Sequence, residues 1–232
     1  MMDSSLRRRA LFTAGGAVAG SIALAATAAP ASAASDAPTT PRAALKALLD
    51  GNRRFVSGHS RHPHQSVRRL HEVAAGQHPF AVLLGCADSR VSPELLFDQG
   101  IGDLFDDRVA GNIVDDLLLG SMEYAVEEFA PPLLVVLGHE RCGAVSATLN
   151  AVANNTTAPG HIQTIVDALR PIVTPFVNAP DGVEQAVRAN ITAQVAALIA
   201  GSEIIREKVE KREMAVVGAR YDLDTGLVTV LS

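Results

Sequence analysis

Two short unbroken apolar runs dominate the pattern of the chain. Phe80-Ala81-Val82-Leu83-Leu84-Gly85 follows Pro79 and stops at Cys86, and Leu133-Leu134-Val135-Val136-Leu137-Gly138 follows Pro131-Pro132 and stops at His139. Runs this short, and apolar at every position, read as strands buried on both faces. Residues 103–111 predict a strand between them. Ala215-Val216-Val217-Gly218 predicts a later one, with a last short strand after the turn at Asp224-Thr225-Gly226. Elsewhere the period becomes helical. Pro41 opens a helix carrying Leu45, Leu48, Leu49 and Phe55 at helical intervals, and Gly58 closes it. Residues 59–71 are basic and His-rich, and predict a surface loop leading into a short helix. A helical turn at 93–97 and helices at 114–129, about 142–153, 161–170, 183–200 and 202–211 complete the pattern. Strands alternating with helices predict an α/β fold: a mostly parallel sheet of about four to five strands, flanked by helices.

Composition adds bounds. The chain of 232 residues suits one domain of ordinary size, and its 48% hydrophobic content suits a substantial core. With no Trp, that core rests on Leu, Val, Ile and Ala. A net charge of −5 argues against a general nucleic-acid binder, and no nucleic-acid partner is expected. The first 33 residues read differently. Arg7, Arg8 and Arg9 precede an apolar, Ala-rich stretch that ends at Ala31-Ser32-Ala33, the form of a secretory signal peptide. The adjacent arginines followed by Ala10-Leu11-Phe12 are similar to the twin-arginine type. The expectation is cleavage after residue 33, a polar linker over 34–40 and a single domain over 41–232. The protein is then expected to be a bacterial export, secreted or held in the periplasm or cell envelope, and a passenger of the twin-arginine export machinery. A retained membrane anchor is the alternative, disfavoured by the weak hydrophobicity of Gly and Ala and by the lack of a basic cluster close behind.

Chemistry gathers where the apolar runs end. In a parallel sheet all carboxyl ends lie on one edge, and ligand sites form in the crevice there. Cys86 and His139 therefore meet without being near in sequence. Cys142 follows His139 by three positions, at the start of a predicted helix, where backbone N–H groups favour a thiolate. Two thiolates and one imidazole compose a donor set known in catalytic zinc sites, and soft sulfur favours zinc over magnesium or calcium. An exported chain with two cysteines also invites a Cys86–Cys142 disulfide, the main rival to a metal site. Twin-arginine export carries folded proteins, which would commit the thiolates to metal beforehand. Spacing alone leaves both readings open. Asp88 beside Cys86 is either a fourth ligand, closing the site, or a carboxylate held off the metal by Arg90.

The residues around these positions resemble the β-class carbonic anhydrases. Cys86-Ala87-Asp88-Ser89-Arg90 and His139-Glu140-Arg141-Cys142-Gly143 match the two zinc motifs of that family. Flanking matches include Gly51-Asn52-Arg53-Arg54-Phe55-Val56, Arg108-Val109-Ala110-Gly111-Asn112 and Val217-Gly218-Ala219-Arg220-Tyr221. The resemblance implies one zinc per chain on Cys86, His139 and Cys142, and reversible hydration of carbon dioxide to bicarbonate by zinc-bound hydroxide. It implies Asp88 and Arg90 as catalytic residues, with Asp88 on the metal only in a closed state. It also implies a homodimer or higher homo-oligomer, with N-terminal helices lying on a partner subunit. Gln77, Phe105, Tyr124 and the N–H of Gly143 fall at substrate-pocket positions, Gln77 reaching substrate from a neighbouring subunit. Hydrolysis of carbonyl sulfide or carbon disulfide is the alternative within the family, and a non-catalytic exported domain with closed zinc or a disulfide is the one outside it.

Two departures stand out. Asp106-Asp107 replaces the usual hydrophobic residues before Arg108, and Leu83 stands where members with a regulatory bicarbonate pocket carry Trp. The second predicts that this chain lacks the bicarbonate switch. His59, His62 and His64 read as a solvated basic loop with no acid nearby, and Asp222 with Asp224 as a turn.

Overall fold

The computed structural model describes residues 37–231. The signal peptide expected over 1–33, and the start of the linker expected over 34–40, lie outside the described residues. In chain order the elements are α1 (Pro41–Val56), α2 (Val67–Val73), β1 (Ala81–Gly85), α3 (Pro93–Leu96), β2 (Leu104–Arg108), α4 (Asp116–Phe129), β3 (Leu133–His139), α5 (Gly143–Ala153), α6 (Ile162–Val173), α7 (Gly182–Gly201), α8 (Glu203–Glu210), β4 (Ala215–Tyr221) and β5 (Val228–Val230). The helix starts are chemically marked. Thr40 accepts from the N–H of Ala43 ahead of Pro41, and Asp115 accepts from Leu118. Ser202 divides the two late helices, ending α7 and capping α8 through the N–H of Ile205.

The strands form one sheet in the order β2-β1-β3-β4-β5, parallel except for β5. Every residue of β1 and β3 is buried, as runs apolar at every position require. One face carries a core of Val82, Leu84, Leu134 and Val136 with α4 to α8 over it. The other carries Leu83, Val135 and Leu137 under α1 and α3. From β1 the chain passes to β2 on one side, then returns to β3 on the other. The sheet therefore switches direction between β1 and β3, and a crevice opens at their carboxyl ends.

Helix α1 lies on its own subunit's sheet through Ala44 and Leu48. Gly51 lets it approach so closely that a Cβ would fall 1.7 Å from the carbonyl oxygen of Phe97. The neighbouring Asn52, fully buried, donates to the carbonyls of Leu96 and Gly226 and accepts from the N–H of Val228. One amide thus joins α1, α3 and the β4–β5 turn.

Three expectations need correction. The strand foreseen over 103–111 stops at Arg108, because Gly111 (φ +81°) and Asn112 (φ +43°) turn the backbone into the left-handed region. The helix foreseen to end at 170 continues to Val173 through Pro171, since Val166, Leu169 and Val173 carry one buried stripe past the proline. The His-rich loop is anchored to acids. Buried Asp98 accepts from the N–H groups of Arg61 and His62 and from Arg54 Nε, and His64 Nδ1 lies 2.8 Å from Asp103. Two acids buried beneath the loop need donors, and the loop supplies them.

Candidate metal centre

Cys86 leaves β1 one residue beyond Gly85, which is in register with Leu137 of β3; His139 ends β3 two residues further on. Cys142 is the N-cap of α5, three residues later. The Sγ atoms of Cys86 and Cys142 and a ring nitrogen of His139 lie within 4.8 Å of one another, and all three residues are buried. Both cysteines are free thiols, with no bond between their sulfurs. His139 is wholly inaccessible to solvent. Its Nδ1 lies 2.9 Å from the carbonyl oxygen of Glu140, an acceptor only, so Nδ1 carries the proton and Nε2 presents a lone pair. That Nε2 has no partner among the described residues.

The charges fit a cation. The Cys142 thiol donates to the Cys86 sulfur and thereby pulls the Cys86 pKa down, to about 4, and the N–H of Gly111 adds to this. The Cys86 thiolate and burial in turn push Cys142 up. Left to themselves the pair releases one proton readily and holds the second. Two thiolates together need a positive charge between them, and a buried imidazole lone pair needs an acceptor. A soft divalent ion satisfies all three donors at once.

Asp88 borders the cluster, with Oδ2 3.9 Å from His139 Nε2. Both its oxygens face Arg90: Oδ1 accepts from the backbone N–H and from Nε, each at 2.9 Å, and Oδ2 accepts from Nη2 at 2.7 Å. The fork holds Asp88 well below the usual carboxylate range. The loop itself is pinned by Arg108, whose Nε and Nη2 donate to the carbonyl of Cys86 and whose Nη2 also reaches that of Asp88. This clamp arises because Arg108 sits in register with Gly85 across the β1–β2 pair. Pattern reading assigned it no role, because strand register cannot be seen in a sequence.

Of the residues foreseen for the substrate pocket, Gly143 and Phe105 adjoin the donors' surroundings, and Gln77 lines a cleft elsewhere. Gly143 opens α5 directly after Cys142, and a Cβ there would meet nothing within 4 Å. Phe105 packs against the core cluster that contains Cys86 and Cys142. Tyr124, 54% exposed on α4, joins Phe105 and Phe129 in an aromatic cluster with centroids 5.8–6.4 Å apart. Gln77 lines a separate cleft with Val73, Ile101 and Gly102. Leu83, at the position where a bicarbonate pocket would place Trp, is fully buried core.

Comparison with known proteins agrees with this geometry. A sequence model of the carbonic anhydrase family matches residues 81–228, which contain all three donors. Carbonic anhydrase 2 of Mycobacterium tuberculosis is 46% identical over 191 residues, covering 81% of this chain and 91% of that protein. The carbonic anhydrase of Mycolicibacterium smegmatis is 42% identical over 195 residues, covering 84% and 95%. Among solved structures, a Coccomyxa β-carbonic anhydrase in complex with acetazolamide superposes with a TM-score of 0.63 at 30% identity, covering 81% of this chain and 86% of that one. The chain belongs to the β-class carbonic anhydrases. As a member of the β-carbonic anhydrases it keeps its donor set at the sheet's switch point, where the fold gathers strand ends.

Proposed function

We propose that this chain is an exported, zinc-dependent and homo-oligomeric carbonic anhydrase that interconverts carbon dioxide and bicarbonate. The observation that carries the reading is the convergence of Cys86, His139 and Cys142, with the His139 Nε2 lone pair unspent. Zinc on this donor set supplies a Lewis acid that makes hydroxide available near neutral pH. The chain's own groups do the rest. Glu140's carbonyl fixes the tautomer of His139. Arg90 keeps Asp88 ionised and turned aside, so the carboxylate is not spent as a fourth donor. The contacts also leave Asp88 a defined spare capacity. Oδ1 spends both lone pairs on Arg90, whereas Oδ2 spends one and keeps the other, and it is Oδ2 that faces His139. An ionised acceptor there takes a hydrogen bond from a protonated nucleophilic oxygen and orients its remaining lone pairs toward substrate. Substrate itself offers little to hydrogen-bond, so it needs an apolar wall.

Homo-oligomerisation supplies that wall. Tyr124 is 54% exposed, Gln77 lines a cleft that none of the three donors borders, and α2 leaves Val67 and Leu70 exposed at 70% and 49%. Export rests on Arg7-Arg8-Arg9, the apolar stretch after them and Ala31-Ser32-Ala33. Stopped-flow hydration of carbon dioxide across pH, with zinc measured on the same sample, tests the enzyme. One zinc per chain and activity that disappears with a chelator is the expected result. A fully active metal-free protein overturns the metal reading, and an inactive zinc-loaded one overturns the activity.

A further inference from the structure

The sulfur of Cys86 has a second tie besides its place in the donor set. The backbone N–H of Gly111 donates to Sγ at 3.4 Å. Holding that N–H in place is not trivial. Gly111 and Asn112 both have positive φ, so the segment belongs to no regular element and has no ladder to stabilise it. At Gly111 a Cβ would also press on Leu169 and Ala144, at 3.1 and 3.3 Å. Only glycine makes this turn, and something outside the turn must fix it.

Two amide side chains of α7 do so. Asn190 Nδ2 donates to the carbonyl of Gly111 at 2.8 Å, Gln194 Nε2 donates to Asn190 Oδ1 at 2.9 Å, and Gln194 Oε1 accepts from the N–H of Val114 at 2.9 Å. Asn190 and Gln194 are one helical turn apart and almost entirely buried. The ring has a single sense. A carbonyl at one end accepts only and an N–H at the other donates only, so neither amide is able to flip without two broken bonds. Burying two amides costs desolvation that apolar residues of similar shape would avoid. Here they buy a backbone turn locked at both ends.

We propose that Asn190 and Gln194 are positioning residues for the Cys86 donor, holding the 111–114 turn so that the N–H of Gly111 stays on the sulfur. The inference rests on the zinc reading above. A hydrogen bond to a ligating thiolate draws charge from sulfur and weakens its donation, which leaves the cation more electrophilic. Loss of the amide ring frees the turn, weakens the N–H···S contact and returns that charge to sulfur.

The test uses the full chain loaded with Co²⁺, which reports thiolate ligation in its absorption spectrum, and separately with Zn²⁺. Gln194→Glu keeps the side-chain volume and the acceptor for Val114 but removes the donor to Asn190. Asn190→Ala removes the donor to Gly111. Both should bind one cobalt per chain with the thiolate-to-cobalt band moved to longer wavelength, as charge returned to the sulfur requires. Ile205→Ala, a core truncation in α8, serves as the control for lost stability and should leave the band unmoved. Metal-loaded variants with the wild-type band overturn the inference alone, as does an equal shift in Ile205→Ala. If Asn190→Ala does not fold, Gln194→Glu decides. A wild-type chain that takes up neither metal overturns the zinc reading and this inference with it.

Discussion

The carboxyl ends of β1 and β3 and the adjacent strand β2 both bury ionisable side chains, with opposite outcomes. At the strand ends every polar atom either points at its counterparts or is tied elsewhere: two sulfurs and an imidazole nitrogen converge, while Asp88 is spent largely on Arg90. On β2, Asp106 and Asp107 alternate to opposite faces of the sheet and converge on nothing. Asp106 Oδ1 and Asp107 Oδ2 are buried without a partner among the described residues. Burial, reinforced by Glu94, pushes Asp106 to about 7, and burial likewise raises Asp107 against the opposing bond from Ser121. Burial of charge is common to both regions. Convergence of donors and a way to neutralise them separate a site from an electrostatic liability.

The largest effect that tests this contrast comes from removing a donor. Cys86→Ala should lose zinc, carbon dioxide hydration and thermal stability together, because the three donors fold around one charge. Retention of stoichiometric zinc in that variant would break the comparison. Next in size is the Asp88–Arg90 pair. Asp88→Ala and Arg90→Ala should each lower kcat/KM by about 10- to 100-fold while zinc content stays at one per chain. Arg90→Lys should fall between, since lysine keeps the charge but not the two-pronged grip. Zinc loss in Asp88→Ala would make the carboxylate a donor rather than a neighbour.

What the sequence made legible follows the same division. Cys86 and His139 were visible because each ends an apolar run, and a parallel sheet has one carboxyl edge. The helix start at Pro41 was visible because a proline at a first turn is local chemistry. Arg108 was not, since its grip on the Cys86 carbonyl depends on which residue of β2 faces Gly85. Asn190 and Gln194 were hidden for a related reason: polar residues inside a helix give no sign of which loop they will meet. The acids of β2 were seen as a departure, but their lack of partners is a matter of packing.

Asp106 gives a stability effect of intermediate size, with a definite sign. An ordinary aspartate titrates near 3.9, and this one near 7 in the folded chain. The folded state therefore binds the proton more tightly. The stability this adds is fully present below about pH 4 and is lost as pH rises through about 7. Asp106→Asn stays neutral and avoids that loss. It should match the wild type in urea at pH 4 and exceed it by about 2 kcal/mol at pH 8, a figure reduced for the water that still reaches the carboxylate. Equal midpoints at both pH values would mean that Asp106 has found a cationic partner.

The smallest effect lies on the other face of the same strand. Ser121 Oγ donates to Asp107 Oδ1 at 2.7 Å and opposes the upward push of burial. Removing the hydroxyl leaves both carboxylate oxygens buried and unserved, so Ser121→Ala should cost about 1 kcal/mol in urea unfolding at pH 8. The loss should shrink as pH falls, because a protonated Asp107 gives up less when the donor goes. Ser121→Ala and Asp107→Asn touch the same bond, so their costs should not add, and the double variant should show a coupling of about 1 kcal/mol. Additive costs would mean that Ser121 packs against α4's surroundings without serving the acid.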